Sequence, residues 1–187
     1  VNVVLEDGER SVMFDDGRGR EGLADALRFI DHATELNDPL VNGVLLPCRI
    51  ETLDLEMLKA TAAASSERDV LVRLHSLQGL VERELILEWH GVTPLELLDQ
   101  VGMLNERLLI PHATYTDRNP AVFGEDRGDL ARLADSGASI IHCPLTSMRY
   151  GSTLDSFNAY KEAGINISLG TDSFPPDLVR AMDHGVQ

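Results

Sequence analysis

Val70-Leu71-Val72-Arg73-Leu74-His75 is a run of apolar residues that ends on an imidazole; two more runs in this chain end in the same manner, and a fourth leads to a carboxylate. Leu108-Leu109-Ile110-Pro111 leads to His112, and Ser139-Ile140-Ile141 to His142. Asn166-Ile167-Ser168-Leu169 leads through Gly170-Thr171 to Asp172. Short apolar runs bounded by turn residues read as buried strands. Polar groups at the C-terminal ends of successive buried strands are where a βα-repeat protein keeps its chemistry.

Outward from those runs, strand and helix signals alternate. Val1–Leu5 reads as a first strand closed by Glu6-Asp7-Gly8. The polar stretch Arg10–Arg20 reads as a loop, in which Asp15, Asp16, Arg18 and Arg20 are solvated. Helical spacing of apolar residues covers Glu21–Leu36, Leu53–Ser65 with Asp54 as N-cap, and Leu80–His90. Thr93-Pro94-Leu95-Glu96 is a capping box with proline at the first helical position and starts a helix that runs to Leu104. Gly128–Ser136 and Leu154–Ala163 read as helices followed by Gly137 and Gly164, and Val41–Pro47 reads as a second strand. Six strands, near Val3, Val44, Val72, Leu109, Ile140 and Ile167, with helices between them predict a parallel α/β sheet with right-handed crossovers. No Gly-x-Gly-x-x-Gly follows any strand, which removes the dinucleotide-binding reading. A closed barrel of eight strands takes about 250 residues. An open doubly wound sheet could hold the six strands, and as a closed barrel the 187 residues would lack about two βα units.

Composition excludes several functions. The net charge of −15 opposes nucleic-acid binding, which rests on neutralising phosphates. No run approaches the roughly 18 apolar residues of a membrane span. The two cysteines, Cys48 and Cys143, form no disulfide framework and suit a reducing cytoplasm.

In order and spacing, the four strand-end motifs resemble the amidohydrolase superfamily, in the branch of cytosine and guanine deaminases and triazine chlorohydrolases. The resemblance rests on Leu74-His75, Trp89-His90-Gly91-Val92-Thr93-Pro94-Leu95-Glu96-Leu97-Leu98, Pro111-His112, Ile141-His142-Cys143-Pro144 and Leu169-Gly170-Thr171-Asp172. It implies one partial (β/α)8, or TIM, barrel domain over residues 1–187 that spans roughly strands three to eight, with the N-terminal strands and a C-terminal part outside it. It implies further that His75 is a fifth-strand metal ligand and that His112 steadies the attacking water or the developing oxyanion. Asp172 contacts the metal and takes the proton, and His142 lines the substrate pocket. Neutral imidazoles and a carboxylate suit Zn²⁺, or Fe²⁺ as the alternative, and such a cation lowers the pKa of bound water from about 15.7 to about 7.

Two departures from the family pattern stand out. The His-x-His that supplies two further ligands is absent from the sequence. The Glu that shuttles protons three residues after the fifth-strand His is Gln78, which can orient a substrate by hydrogen bonds but cannot pass on a proton. Glu82 is a neighbouring acid whose reach the sequence does not define. The resemblance thus implies a metal-dependent hydrolase of non-peptide carbon–nitrogen bonds in a small, nitrogen-rich cyclic substrate, from relatives that form homo-oligomers. A non-catalytic barrel serving as a binding or structural subunit is the alternative. A phosphoesterase-type barrel is disfavoured, because Lys59 and Lys161 both fall in helices. Cys143 reads as a buried structural thiol facing away from His142's side of the strand. Asp172–Asp177 reads either as a substrate-contacting loop or as a rigid turn capped by Asp177.

Overall fold

The structure is a computed structural model that describes residues 2–6, 9–152, 154, 157–173 and 175–185, with residues 2–12 described by their backbone. Its centre is a parallel sheet of five strands in sequence order: β3 (Leu45–Arg49), β4 (Val72–His75), β5 (Leu108–Pro111), β6 (Ser139–His142) and β7 (Asn166–Leu169). Helices α2 (Leu55–Arg68), α3 (Leu80–His90), α4 (Pro94–Gln100), α5 (Asp129–Ser136), α6 (Pro144–Tyr150) and α7 (Phe157–Glu162) make the crossovers, and α8 (Leu178–Gly185) follows β7. Among the described residues no helix is long and apolar enough to cross a membrane.

Alternation in the strands sets the layers. In β4, Val72 and Leu74 are buried, whereas Arg73 is exposed and His75 half-buried. The helix-facing layer is a dry core built from Leu58, Leu74, Leu95, Leu98, Leu108, Ile110 and Ile140. Burying one such side chain contributes about 1.5–3 kcal/mol.

The capping box is present: Thr93 Oγ1 accepts from the Glu96 N–H and Glu96 returns a bond to the Thr93 N–H, which fixes the start of α4. Asp54 caps α2 by accepting from Met57 N–H at 2.7 Å. Gly137 and Gly164 take positive φ after their helices, as a left-handed C-cap requires.

The N-terminal part departs from the reading of the sequence. A strand is present at β1 (Asn2–Glu6), but it pairs antiparallel with β2 (Glu9–Met13) in a separate two-stranded sheet. The parallel sheet therefore holds five strands rather than six. The reason is connection length: two residues join β1 to β2, and a parallel neighbour needs a crossover of a dozen or more. The turn expected at Asp7-Gly8 lies outside the described residues. Helix α1 (Asp16–Leu36) also begins earlier than its apolar spacing indicates, because Asp15 accepts from Arg18 N–H at 3.0 Å and caps a first turn whose glycines read as loop. Helix α6 was hidden in the sequence because it starts directly at Pro144, with no polar turn after β6.

Candidate active site

All of the sequence-predicted site residues fall at the C-terminal rim of the parallel sheet. His75 ends β4, His112 follows β5, His142 ends β6, and Asp172 stands three residues past β7. His75, His112 and Asp172 line one cavity of about 320 Å³, together with Arg73, Pro111, Ile141, Cys143, Gly170 and Thr171. The rings of His75 and His112 stack with centroids 5.5 Å apart. His112 Nε2 lies 3.9 Å from Asp172 Oδ2, beyond direct hydrogen-bond reach.

Backbone geometry carries the chain into this cluster. His112 N–H donates to Ile141 O at 2.9 Å, and Ser76 bridges in parallel to His112, so the strand ends are tied across the rim. Gly170 has a steric reason to be glycine: a Cβ there would stand 2.8 Å from Ile141 Cγ2 and 3.1 Å from Cys143 Sγ. The close approach lets Gly170 N–H donate to His142 O at 2.8 Å and brings Asp172 in beside β6.

His75 Nδ1 lies 2.7 Å from Cys48 O. A ring nitrogen facing a carbonyl carries the proton, which leaves Nε2 as the lone-pair nitrogen, the arrangement usual for a metal-ligating histidine. Burial is the main force lowering the His112 pKa to about 4, and His75, His142 and Arg49 add to it against the opposing Asp172. His112 is therefore a neutral imidazole near neutral pH. Among the described residues, no group of three or more His, Cys, Asp or Glu is arranged to hold a metal ion. His75 Nε2 and the Asp172 carboxylate are suited in kind to a divalent cation.

A second cavity, about 390 Å³, adjoins the first and shares His112 and Asp172. Gln78 lines it, and its Oε1 is buried without a hydrogen-bond partner among the described residues. Hydroxyls dominate the remaining wall, from Thr114, Tyr115, Ser147, Tyr150 and Ser173, and Arg49 supplies a cation. A larger cavity, about 630 Å³, lies at the opposite ends of the strands beside Asp38, Arg68 and Asp69, and none of the strand-end histidines lines it.

The two residues after Ile141 have exchanged their expected places. The sequence reading set His142 in the pocket wall and Cys143 away from it, whereas Cys143 lines the first cavity and His142 lines neither. Ile141 registers with Pro111, and both face the first cavity, so alternation sends His142 to the other side. His142 is 8% exposed, its Nδ1 is buried with no partner among the described residues, and burial lowers its pKa. Cys143 stays a protonated thiol, its pKa pushed up to about 11 by burial and by Asp172. Glu82 lines neither cavity; its carboxylate turns instead to the backbone of Leu77 and Gln78. Of the loop after Asp172, Ser173 lines the second cavity and Asp177 caps α8 by accepting from Arg180 N–H at 2.9 Å, while Phe174 lies outside the described residues. The sequence reading missed Arg49, Thr114, Tyr115, Ser147 and Tyr150. Of these, only Arg49 carries a local signal, because it ends a strand.

Parallel strands with imidazoles and a carboxylate gathered at one rim form a segment of a (β/α) barrel. Residues 10–186 match the model of the amidohydrolase family, and the chain belongs to that family. It is 34% identical over 145 residues to the 5-methylthioadenosine/S-adenosylhomocysteine deaminase of Pyrococcus furiosus, covering 78% of this chain and 32% of the relative. Atrazine chlorohydrolase of Arthrobacter aurescens TC1, solved with zinc, superposes with a TM-score of 0.62 at 25% identity, covering 78% of this chain and 32% of that one. Guanine deaminase from C. acetobutylicum shares the fold, with a TM-score of 0.78 at 18% identity over 90% of this chain and 39% of that one. The chain spans about a third of the length of the curated relatives it matches.

Proposed function

We propose that the protein hydrolyses a non-peptide carbon–nitrogen bond in a small, nitrogen-rich cyclic substrate, with water activated by a divalent cation. The observation that carries this reading is the convergence of His75, His112 and Asp172, from three different strands, on one cavity. Deaminases of modified adenosines among the relatives support an amino-substituted purine ring as the substrate class.

His75 Nε2 and Asp172 would hold the cation, Zn²⁺ first and Fe²⁺ as the alternative. When bound, it would lower the pKa of water from about 15.7 to about 7. Asp172 takes the two protons of the attacking water in turn and passes the first to the ring nitrogen and the second to the leaving nitrogen. A neutral His112 donates an N–H to the oxygen that gains charge as the ring carbon becomes tetrahedral. His142 stays out of the wall and helps keep His112 neutral. Gln78 orients the ring edge through its amide and holds no proton to give. The hydroxyl-lined cavity takes the polar remainder of the substrate. The balance is ring C–NH2 plus water giving ring C=O, with its ring N–H, plus ammonia.

The test uses the full-length protein, measuring bound transition metal and ammonia release from 5-methylthioadenosine and from an amino-triazine. About one equivalent of metal and ammonia from one of these is expected, with metal content falling in His75→Ala and Asp172→Ala. A protein that binds well under one equivalent, and cannot be reloaded, is the non-catalytic barrel instead.

A further inference from the structure

Glu82 is 1% exposed, and no step of the proposed reaction uses it. It is the third residue of α3, where an acid ordinarily serves the N-cap's own N–H. Here it reaches further out. Oε1 accepts from Leu77 N–H at 2.5 Å and Oε2 from Gln78 N–H at 3.1 Å, with the Ser76 hydroxyl donating at 3.5 Å. Ser76, Leu77 and Gln78 make up the turn between His75 and Gly79, the N-cap of α3.

That turn is strained and cannot relax by moving its side chain. Leu77 sits at φ 58 and is 0% exposed. In left-handed backbone the β-carbon of such a residue crowds its own following carbonyl oxygen. The Leu77 carbonyl also accepts from both Thr114 N–H and Tyr115 N–H, each at 2.9 Å. One turn thus joins the Glu82 carboxylate to two residues of the second cavity wall. Between them stands Gln78, whose buried Oε1 has no partner among the described residues.

We propose that Glu82 is a positioning residue: its carboxyl group holds the strained Ser76–Gln78 turn, aims the Gln78 amide into the cavity and fixes the Thr114–Tyr115 wall. Both carboxyl oxygens are needed, because two N–H donors face them and each oxygen, protonated or not, offers a lone pair. An amide at 82 accepts through one oxygen and sets its own N–H2 against the second donor. The aiming of Gln78 at substrate rests on the hydrolase reading above; the holding of the turn does not.

The experiment compares Glu82→Gln with wild type in the full-length protein by residue-resolved amide hydrogen exchange and by kinetics on 5-methylthioadenosine. Exchange at Leu77, Gln78, Thr114 and Tyr115 is expected to quicken about tenfold or more, with Leu108 and Ile140 in the sheet unchanged. KM is expected to rise about tenfold with kcat within threefold, and the same change in a Gln78→Ala background is expected to add less than twofold. Unchanged exchange at the four amides, or an equal rise across the sheet, overturns the proposal. A full tenfold loss persisting in Gln78→Ala overturns the aiming of Gln78. Where the protein turns over no substrate, the hydrolase reading fails and exchange alone decides this one. Should Glu82→Gln not fold, Glu82→Asp, which keeps both oxygens on a stem one methylene shorter, is expected to show the same local quickening, and its absence overturns the proposal.

Discussion

The two ends of the strands are built to different rules. Outside the rim, the described residues with a β-carbon and positive φ are Asn37 and Asp69, which cap the C-termini of α1 and α2 in an ordinary left-handed geometry. At the rim, Cys48, Leu77, His112, Ala113 and Asp172 all take positive φ, and each lies within three residues of the C-terminal end of a strand. Underneath, the strands present unstrained, fully buried aliphatic side chains to the helices. The difference teaches where this fold stores strain. It is held at the end that carries polar groups, by hydrogen bonds between neighbouring strand ends, and the dry core beneath supplies the stability to hold it.

Two aspartates give the sharpest way to break that contrast. Asp129 is fully buried below the rim loops, where Oδ2 accepts from Arg83 Nη1 at 2.8 Å and from Asp117 N–H at 2.9 Å, and Oδ1 from Thr93 Oγ1 at 3.1 Å. Asp129→Ala strands a buried guanidinium and is expected to cost about 3–5 kcal/mol in denaturant unfolding. Asp172 has a side chain 30% exposed. Asp172→Ala is expected to cost under about 1 kcal/mol of stability while lowering kcat/KM about 10²–10⁴-fold. Equal stability losses in the two variants would erase the distinction between framework and site.

Gln78→Glu sharpens the chemical side of the same comparison. A carboxyl at that position adds a group that can carry a proton to the leaving nitrogen, and ammonia release from an aminopurine nucleoside is expected to rise about tenfold or more. A fall would mean that the second cavity is tuned to an amide.

The pH dependence of stability is a smaller signal from beneath the rim. Burial first, and Glu51 next, push the Glu82 pKa from 4.5 up to about 8, against the two backbone N–H groups that favour the carboxylate. The folded state thus holds this proton more tightly than the unfolded state. The resulting stability is complete below about pH 4.5 and is lost as pH rises through about 8. Wild-type stability measured relative to Glu82→Gln is therefore expected to decline between those limits, and a flat difference would contradict it.

Cys48 offers the mildest test. It is exposed at φ 78, so glycine relieves backbone strain without emptying a packed site, and Cys48→Gly is expected to gain roughly 0.5–1 kcal/mol in thermal unfolding. A loss would show that the rim is unstrained at β3.

Much of this was legible one segment at a time. The capping box at Thr93–Glu96, the boundaries of α3 and the strands ending at His75, His112 and His142 follow from local propensity and apolar period, and the ordered strand-end motifs resemble the family to which the chain belongs. Other features left no local mark. The pairing of β1 with β2 lies in a polar stretch where strand and loop read alike. The apolar pair Ile140-Ile141 fits either phase of a strand, so the sequence could not say whether His142 or Cys143 faces the cavity.

The amino-acid order alone determined an alternation of parallel strands and helices with His75, His112, Gln78 and Asp172 placed at strand ends, because those facts depend on periodicity and near neighbours. The tertiary structure decided which side of β6 meets the cavity, that His112 is neutral, and that Glu82 serves backbone rather than substrate. The first two depend on groups distant in sequence, the register of β5 against β6 and the packing that buries His112, and the third on a turn whose Leu77 carbonyl is held by the Thr114 and Tyr115 N–H groups. Contacts of that kind exist only once the strands have aligned.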